Sequence, residues 1–145
     1  MLSSSSKNAI RAVLYLAKNS NEEKKISPKI IAEEIQIPAP FLAKILQQLS
    51  THNIISSAKG RNGGFYLTDA NKKNSVLSIV ECIDGLNKFS GCFLGTPSCS
   101  ESDPCEIHSL VAPLKNKLIK ELSYNSIEAF SIGLIKNRKM VVDLN

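Results

Sequence analysis

The stretch SPKIIAEEIQIPAPFLAKILQQLSTHNIISSAKGRNGGFYL, residues 27–67, carries the signals that decide the architecture. Ser27-Pro28 pairs a helix N-cap with proline at the first helical position, where its missing amide hydrogen costs nothing. The short helix that follows carries Ile30, Ile31, Ala32 and Ile35 and stops at Pro38-Ala39-Pro40, because proline cannot donate and disfavours helix just upstream. Another helix starts near Pro40 and is expected to bury Phe41, Leu42, Ile45, Leu46 and Leu49. Two short helices around a tight break form a helix-turn-helix. Residues 54–58 and 65–68 are short β-prone runs flanking Lys59-Gly60-Arg61-Asn62-Gly63-Gly64, the pattern of a hairpin with a glycine-rich basic turn.

Upstream, Ser5 or Ser6 can cap a helix with apolar positions Ala9, Ile10, Val13, Leu14, Leu16 and Ala17. Three helices and then a hairpin make a winged helix-turn-helix. Downstream, Asn71-Lys72-Lys73-Asn74 reads as a polar connector. Val76, Leu77, Ile79, Val80 and Ile83 form an amphipathic helix ended by Asp84-Gly85, and residues 86–104 read as loop. Helical spacing resumes from about residue 105 with Leu110, Val111, Leu114, Leu118, Ile119 and Leu122; Pro113 kinks this helix or marks where its regular part begins. Its apolar row is wider than one small domain needs, which suggests pairing with a second chain. A last short helix begins at Ser126. The expected fold is mostly α with a small β-hairpin wing, a winged helix-turn-helix followed by a long dimerisation helix. The expected organisation is a DNA-binding domain over 1–70, a connecting helix over 71–85, a cysteine-rich cluster-binding loop over 86–108, the dimerisation and C-terminal helices over 109–135, and a tail over 136–145.

The formal net charge is +5, and all of that excess falls within residues 1–67, while residues 68–145 are neutral. A positive end facing a polyanion, joined to an end with another task, explains the asymmetry. No apolar run approaches the roughly 18 residues of a membrane span, and Lys7 and Arg11 interrupt any signal-peptide pattern, so the expected location is cytoplasmic. No nucleophile–base pair or substrate fingerprint suggests an enzyme.

In a winged helix the third helix enters the major groove. The exposed candidates there are Ala39, Pro40, Lys44, Gln47 and Gln48: glutamine can bond adenine in two places, and lysine serves phosphate or guanine. Lys59, Arg61, Asn62 and Gly63 at the wing suit phosphate or minor-groove contact. Lys7, Arg11 and Ser27 complete the expected DNA-contacting set.

Three of the four cysteines crowd into fourteen residues: Cys92, Cys99 and Cys105, with His108, give C-x6-C-x5-C-x2-H. In a reducing compartment such clustering points to metal ligands or redox sensors rather than structural disulfides. Cys105 and His108 lie three apart at a helix start and project to one side. Thiolate and imidazole suit an iron–sulfur cluster or tetrahedral zinc, and metal-free thiols are a third reading. A C-x2-C knuckle is absent, and the long gaps favour a cluster of several metal atoms. Cys82, on the preceding helix, reads as a small core residue.

The wing G-R-N-G-G-F, the helix ending Ile83-Asp84-Gly85, and the three cysteines with one histidine together resemble the IscR/NsrR family of Rrf-type regulators, over roughly residues 1–130. The resemblance implies homodimers that bind palindromic operators and sense iron–sulfur status, nitric oxide or redox state. Members with three cysteines and a histidine hold a 2Fe-2S cluster, and Cys92, Cys99, Cys105 and His108 match with one extra residue in the first gap. Other members hold a 4Fe-4S cluster with an acidic ligand from the partner's first helix, a neighbourhood that here reads Lys7-Asn8. IscR-like members carry a glutamate in the recognition helix that tunes operator choice; the corresponding position here is Ala43, so the resemblance does not extend to that switch. The rival function is an iron–sulfur electron carrier, which leaves the basic winged head without a task.

Overall fold

A computed structural model of the chain describes residues 2–136. The tail expected over 136–145 therefore lies, but for its first residue, outside the described residues. The first helix, α1 (Ser4–Asn19), is the centre of the packing: Ala9, Ala12, Val13 and Leu16 are fully buried on it. Its cap is Ser3, whose Oγ accepts from the Ser6 amide at 3.0 Å. That corrects the expectation of Ser5 or Ser6; Ser6 instead turns into the core.

Ser27 caps α2 (Pro28–Ile35) as read, accepting from the Ile30 amide, and Gln36 ends it in a left-handed conformation with φ 56°. Next, α3 (Ala39–Thr51) buries Leu42, Ile45, Leu46 and Leu49. Phe41, expected inside, is 41% exposed because it sits at the open first turn of that helix. The hairpin consists of β1 (Ser56–Ala58) and β2 (Gly64–Tyr66), antiparallel with Ser57 opposite Phe65.

A third segment joins the wing. Ile26, just before α2, exchanges two backbone hydrogen bonds with Phe65, at 2.9 and 2.8 Å. This close approach explains Gly64, where a Cβ would stand 2.6 Å from the Ile26 carbonyl oxygen, while within the turn itself a Cβ on Gly63 would stand 2.3 Å from the Ala58 carbonyl oxygen. Gly64 also holds φ +146°, which side chains resist.

After the wing comes a short helical turn, α4 (Asp69–Lys72), where a polar connector was expected. Thr68 and Asn71 form a reciprocal capping box, and the buried Asn71 amide also donates to the Asn53 carbonyl at 3.0 Å. The boundary expected at 70/71 thus falls inside an element. Next, α5 (Val76–Asp84) packs on both α1 and α3. A one-turn helix, α6 (Asn87–Ser90), then buries Phe89 inside the segment read as loop.

The long helix α7 (His108–Tyr124) runs through Pro113 and buries none of its residues. The final α8 (Ile127–Lys136) folds back on α1, with Ile127 fully buried and its amide bonded to the Asn74 carbonyl at 2.9 Å. Among the described residues, no helix is long and apolar enough to cross a membrane.

Candidate metal centre and nucleic-acid interface

The segment between α6 and α7 folds back so that Cys92, Cys99 and Cys105 converge, their Sγ atoms all within 4.8 Å of one another. Local turns cause this. The Gly95 amide bonds back to the Cys92 carbonyl, and Ser100 and Asp103 close a second turn that carries Cys99 toward Cys105. Cys92 Sγ lies 3.6 Å from Cys105 Sγ, and the Cys105 amide points at Cys99 Sγ at 3.5 Å. His108, the first residue of α7, places Nδ1 3.2 Å from Cys99 Sγ. All four expected ligands are therefore in one neighbourhood and half-buried, and none of the cysteines is in a disulfide.

The electrostatics differ between the thiols. Burial pushes Cys92 up, but hydrogen bonds from the Thr96 and Leu94 backbone and from the other two thiols outweigh it and hold its pKa at about 6. At Cys105 a hydrogen bond from the Ile107 backbone pulls the pKa down, while burial and the neighbouring Cys99 and Cys92 push it up further, so that it ends raised. One thiolate is favoured in a cluster that cannot easily hold several without a cation. Three soft sulfur donors with an imidazole beside them, and no carboxylate in the group, suit an iron–sulfur cluster or zinc.

A cavity beside the thiols is lined by His108, Val111, Ala112 and Lys115 along one face of α7, and of these Ala112 and Lys115 carried no obvious sequence signal. The Lys115 ammonium donates to the Gly91 carbonyl, across 24 positions. Its only trace in the sequence is a seven-residue spacing from His108. Cys82, by contrast, packs partly buried against the core, and burial raises its pKa, as befits a structural thiol.

The expected DNA-contacting residues lie on the surface of the winged head or in its framework. Lys7, Pro40, Lys44, Gln47, Lys59, Arg61 and Asn62 are exposed; Ala39, Ser27 and Gly63 are half-buried. Two are engaged elsewhere. Arg11 donates to the Ile35 carbonyl at 2.6 Å, bracing the end of α2 against α1. Gln48 donates to the Cys82 carbonyl at 2.8 Å. A further lysine that the sequence did not single out, Lys25, lies beside the wing with its ammonium 5.2 Å from the centre of the Tyr66 ring.

A helix-turn-helix with a three-segment wing, joined to a thiol cluster at the head of a long uncovered helix, defines a winged-helix transcriptional regulator. The model of the Rrf2 family of iron-dependent transcriptional regulators matches residues 2–131, and the chain belongs to that family. An Aquifex aeolicus protein described as an HTH-type transcriptional regulator is 35% identical over 112 residues, 76% of each chain. The HTH-type transcriptional regulator IscR of Escherichia coli (O1:K1 / APEC) is 26% identical over 144 residues, covering 99% of this chain and 85% of that one. Among solved structures, CymR (YrzC), the global cysteine regulator of B. subtilis, superposes with a TM-score of 0.71 at 17% identity over 90% of this chain and 95% of its own. That last likeness is one of fold.

Proposed function

We propose that the chain is a homodimeric DNA-binding regulator whose grip on operator DNA follows the occupancy of an iron–sulfur site formed by Cys92, Cys99, Cys105 and His108. The observation that carries this reading is the convergence of three thiols and an imidazole from a short segment at the start of α7. When bound, a 2Fe-2S cluster would supply a one-electron centre that also responds to nitric oxide. The chain's own residues do the rest. The four donors draw both ends of the 92–105 segment onto the head of α7, and α5, which leads into that segment, packs on α3.

Homodimerisation is supported by α7, where Leu110 is 66% and Leu114 61% exposed on a helix with no buried residue. Two such chains related by a twofold axis present two α3 helices about 34 Å apart, the geometry that suits a palindromic operator. In this reading Pro40, Lys44 and Gln47 meet base edges and phosphates, Lys59, Arg61 and Asn62 hold the adjoining backbone, Ser27 and Lys7 flank them, and Arg11 and Gln48 act as framework. The winged head over 1–70, the connecting helix, the cysteine loop and the dimerisation helix take the roles their chemistry suggests, in the cytoplasm.

A single zinc ion is the second reading. The 3.6 Å between Cys92 and Cys105 sulfurs is close to the spacing of about 3.8 Å set by tetrahedral Zn–S bonds. Anaerobic purification, iron, sulfide and zinc analysis, and gel shifts of loaded and metal-free protein test both. Visible absorbance with iron and sulfide, lost in Cys99→Ala, together with DNA affinity that differs between the two forms, is the expected result. Zinc without sulfide selects the second reading, and equal DNA affinity with and without metal sinks the coupling.

A further inference from the structure

The cysteine segment is held to α7 at both ends, and the two fastenings differ in chemistry. At its C-terminal end Cys105 joins the helix directly, with the His108 amide bonded to the Cys105 carbonyl at 3.0 Å. At its N-terminal end the chain leaves α6 through Gly91, which is exposed and has open space around its Cα. What reaches across to it is Lys115, whose ammonium donates to the Gly91 carbonyl. That carbonyl belongs to the peptide that carries the Cys92 amide, so its direction fixes how Cys92 enters the thiol group.

Lys115 is also a fixed charge in a soft-donor pocket. It stands two helical turns beyond His108 on the same face of α7, with the small Ala112 between them, and lines one cavity together with Cys92, Cys99, Cys105 and His108. It is half-buried, so its charge is screened less than that of the exposed Lys117 and Lys120 on the same helix. Lys88 lines the adjoining hollow with Lys115, Cys92 and Phe93, placing a second cation on that side of Cys92.

We infer that Lys115 is a positioning residue of the thiol site: its ammonium pins the Gly91–Cys92 peptide onto α7 and supplies positive charge to whatever the three thiolates bind. This rests on the iron–sulfur reading for the charge, but the tether is a property of the chain alone. A nearby cation stabilises the more negative, reduced form of a cluster and raises its midpoint potential.

Lys115→Met keeps the length and helix preference of the side chain and removes the charge and the donor; Lys115→Arg keeps both. Optical redox titration of the iron-loaded protein and limited chymotrypsin cleavage at Phe93 in the metal-free protein read the two roles separately. Lys115→Met is expected to have a more negative midpoint potential than wild type and to be cut several-fold faster at Phe93, with Lys115→Arg near wild type in both. A wild-type potential or a wild-type cleavage rate in Lys115→Met overturns the inference, as does Lys115→Arg behaving like Lys115→Met. If the wild-type protein takes up no iron–sulfur cluster, the function proposed above fails, while faster cleavage of Lys115→Met still supports the tether and unchanged cleavage removes it.

Discussion

The side-chain amide of Gln48 in α3 donates to the main-chain carbonyl of Cys82 in α5 at 2.8 Å, and the Cys82 thiol faces the Gln48 carbonyl at 3.8 Å. The helix that would lie in the major groove is thus bonded, as well as packed, to the helix that leads into the cysteine segment. Gln48→Ala is expected to lower unfolding stability by about 1 kcal/mol, the ordinary net worth of one such hydrogen bond. Gln48→Glu should cost more, because it sets a carboxylate oxygen against the Cys82 carbonyl. Urea denaturation of the two variants checks the order; a glutamate variant as stable as wild type removes the contact from the account.

The wing depends on two missing side chains. An added Cβ would meet the Ala58 carbonyl oxygen at 2.3 Å from Gly63 and the Ile26 carbonyl oxygen at 2.6 Å from Gly64. Gly63→Ala and Gly64→Ala are each expected to destabilise by about 1–3 kcal/mol and to loosen the hairpin. Gly91→Ala, which enters open space, is the control and should leave the melting temperature unchanged. Thermal melts rank the three, and a Gly64→Ala protein as stable as Gly91→Ala contradicts the geometry.

Asp84 binds the N-terminus of α1 from the end of α5: it accepts from the Ser3 amide at 3.1 Å and from the Ser3 hydroxyl at 2.6 Å. Burial alone would raise its pKa, but the Ser3 hydrogen bonds and the charge of Lys88 leave it lowered. A carboxyl whose folded pKa is depressed contributes stability above its unfolded value of about 4, and that contribution disappears as pH falls through the folded value. Wild type should therefore lose stability below pH of about 4 more steeply than Asp84→Asn. Equal slopes in urea melts across that range would show that the carboxylate is not held.

Much of this was legible in residues that act on near neighbours. Ser27-Pro28 starts α2, Pro38 and Pro40 bracket the start of α3, and Gly63 fits the tight turn of the wing, each through backbone rules that operate over a few positions, whereas the need for Gly64 comes from Ile26, outside the hairpin. The C-x6-C-x5-C-x2-H spacing pointed to the four side chains that do assemble. What the sequence hid was decided at a distance. Ser3, rather than Ser5 or Ser6, caps α1 where the chain meets Asp84, 81 positions away. Asn71 is buried because it ties α4 to Asn53 and Ser56 on the far side of the hairpin. The partners of Gln48 and Lys115 follow only from how α5 and α7 dock. Side chains of ordinary surface type carry no mark of such contacts.

In the metal-free protein Cys92, with its pKa held at about 6, should be the reactive thiol. Its alkylation by iodoacetamide is expected to rise as pH passes about 6, against an ordinary thiol value of 9.0. Cys82, whose pKa burial raises, should stay slow through neutral pH. Mass spectrometry of briefly alkylated protein assigns the modified residue; preferential labelling of Cys82 at pH 7 would invert the assignment.

The wing tip decides whether the basic head meets duplex DNA through its backbone. Lys59 and Arg61 are both exposed on the turn between β1 and β2, with Asn62 beside them, and neither is among the residues that brace the fold. Each phosphate neutralised by such a side chain releases counterions, so the slope of log affinity against log salt changes by about 0.9 per contact. Lys59→Ala with Arg61→Ala should therefore weaken binding to every duplex alike and flatten that slope by up to about 1.8. The melting temperature should stay put, because no packing is lost. Lys44→Ala, on α3, should instead weaken binding unevenly between sequences if it reads guanine, and evenly if it serves phosphate. A double wing variant with the wild-type slope would place the wing away from the DNA and leave the head's excess charge on α3 and α1 to account for binding.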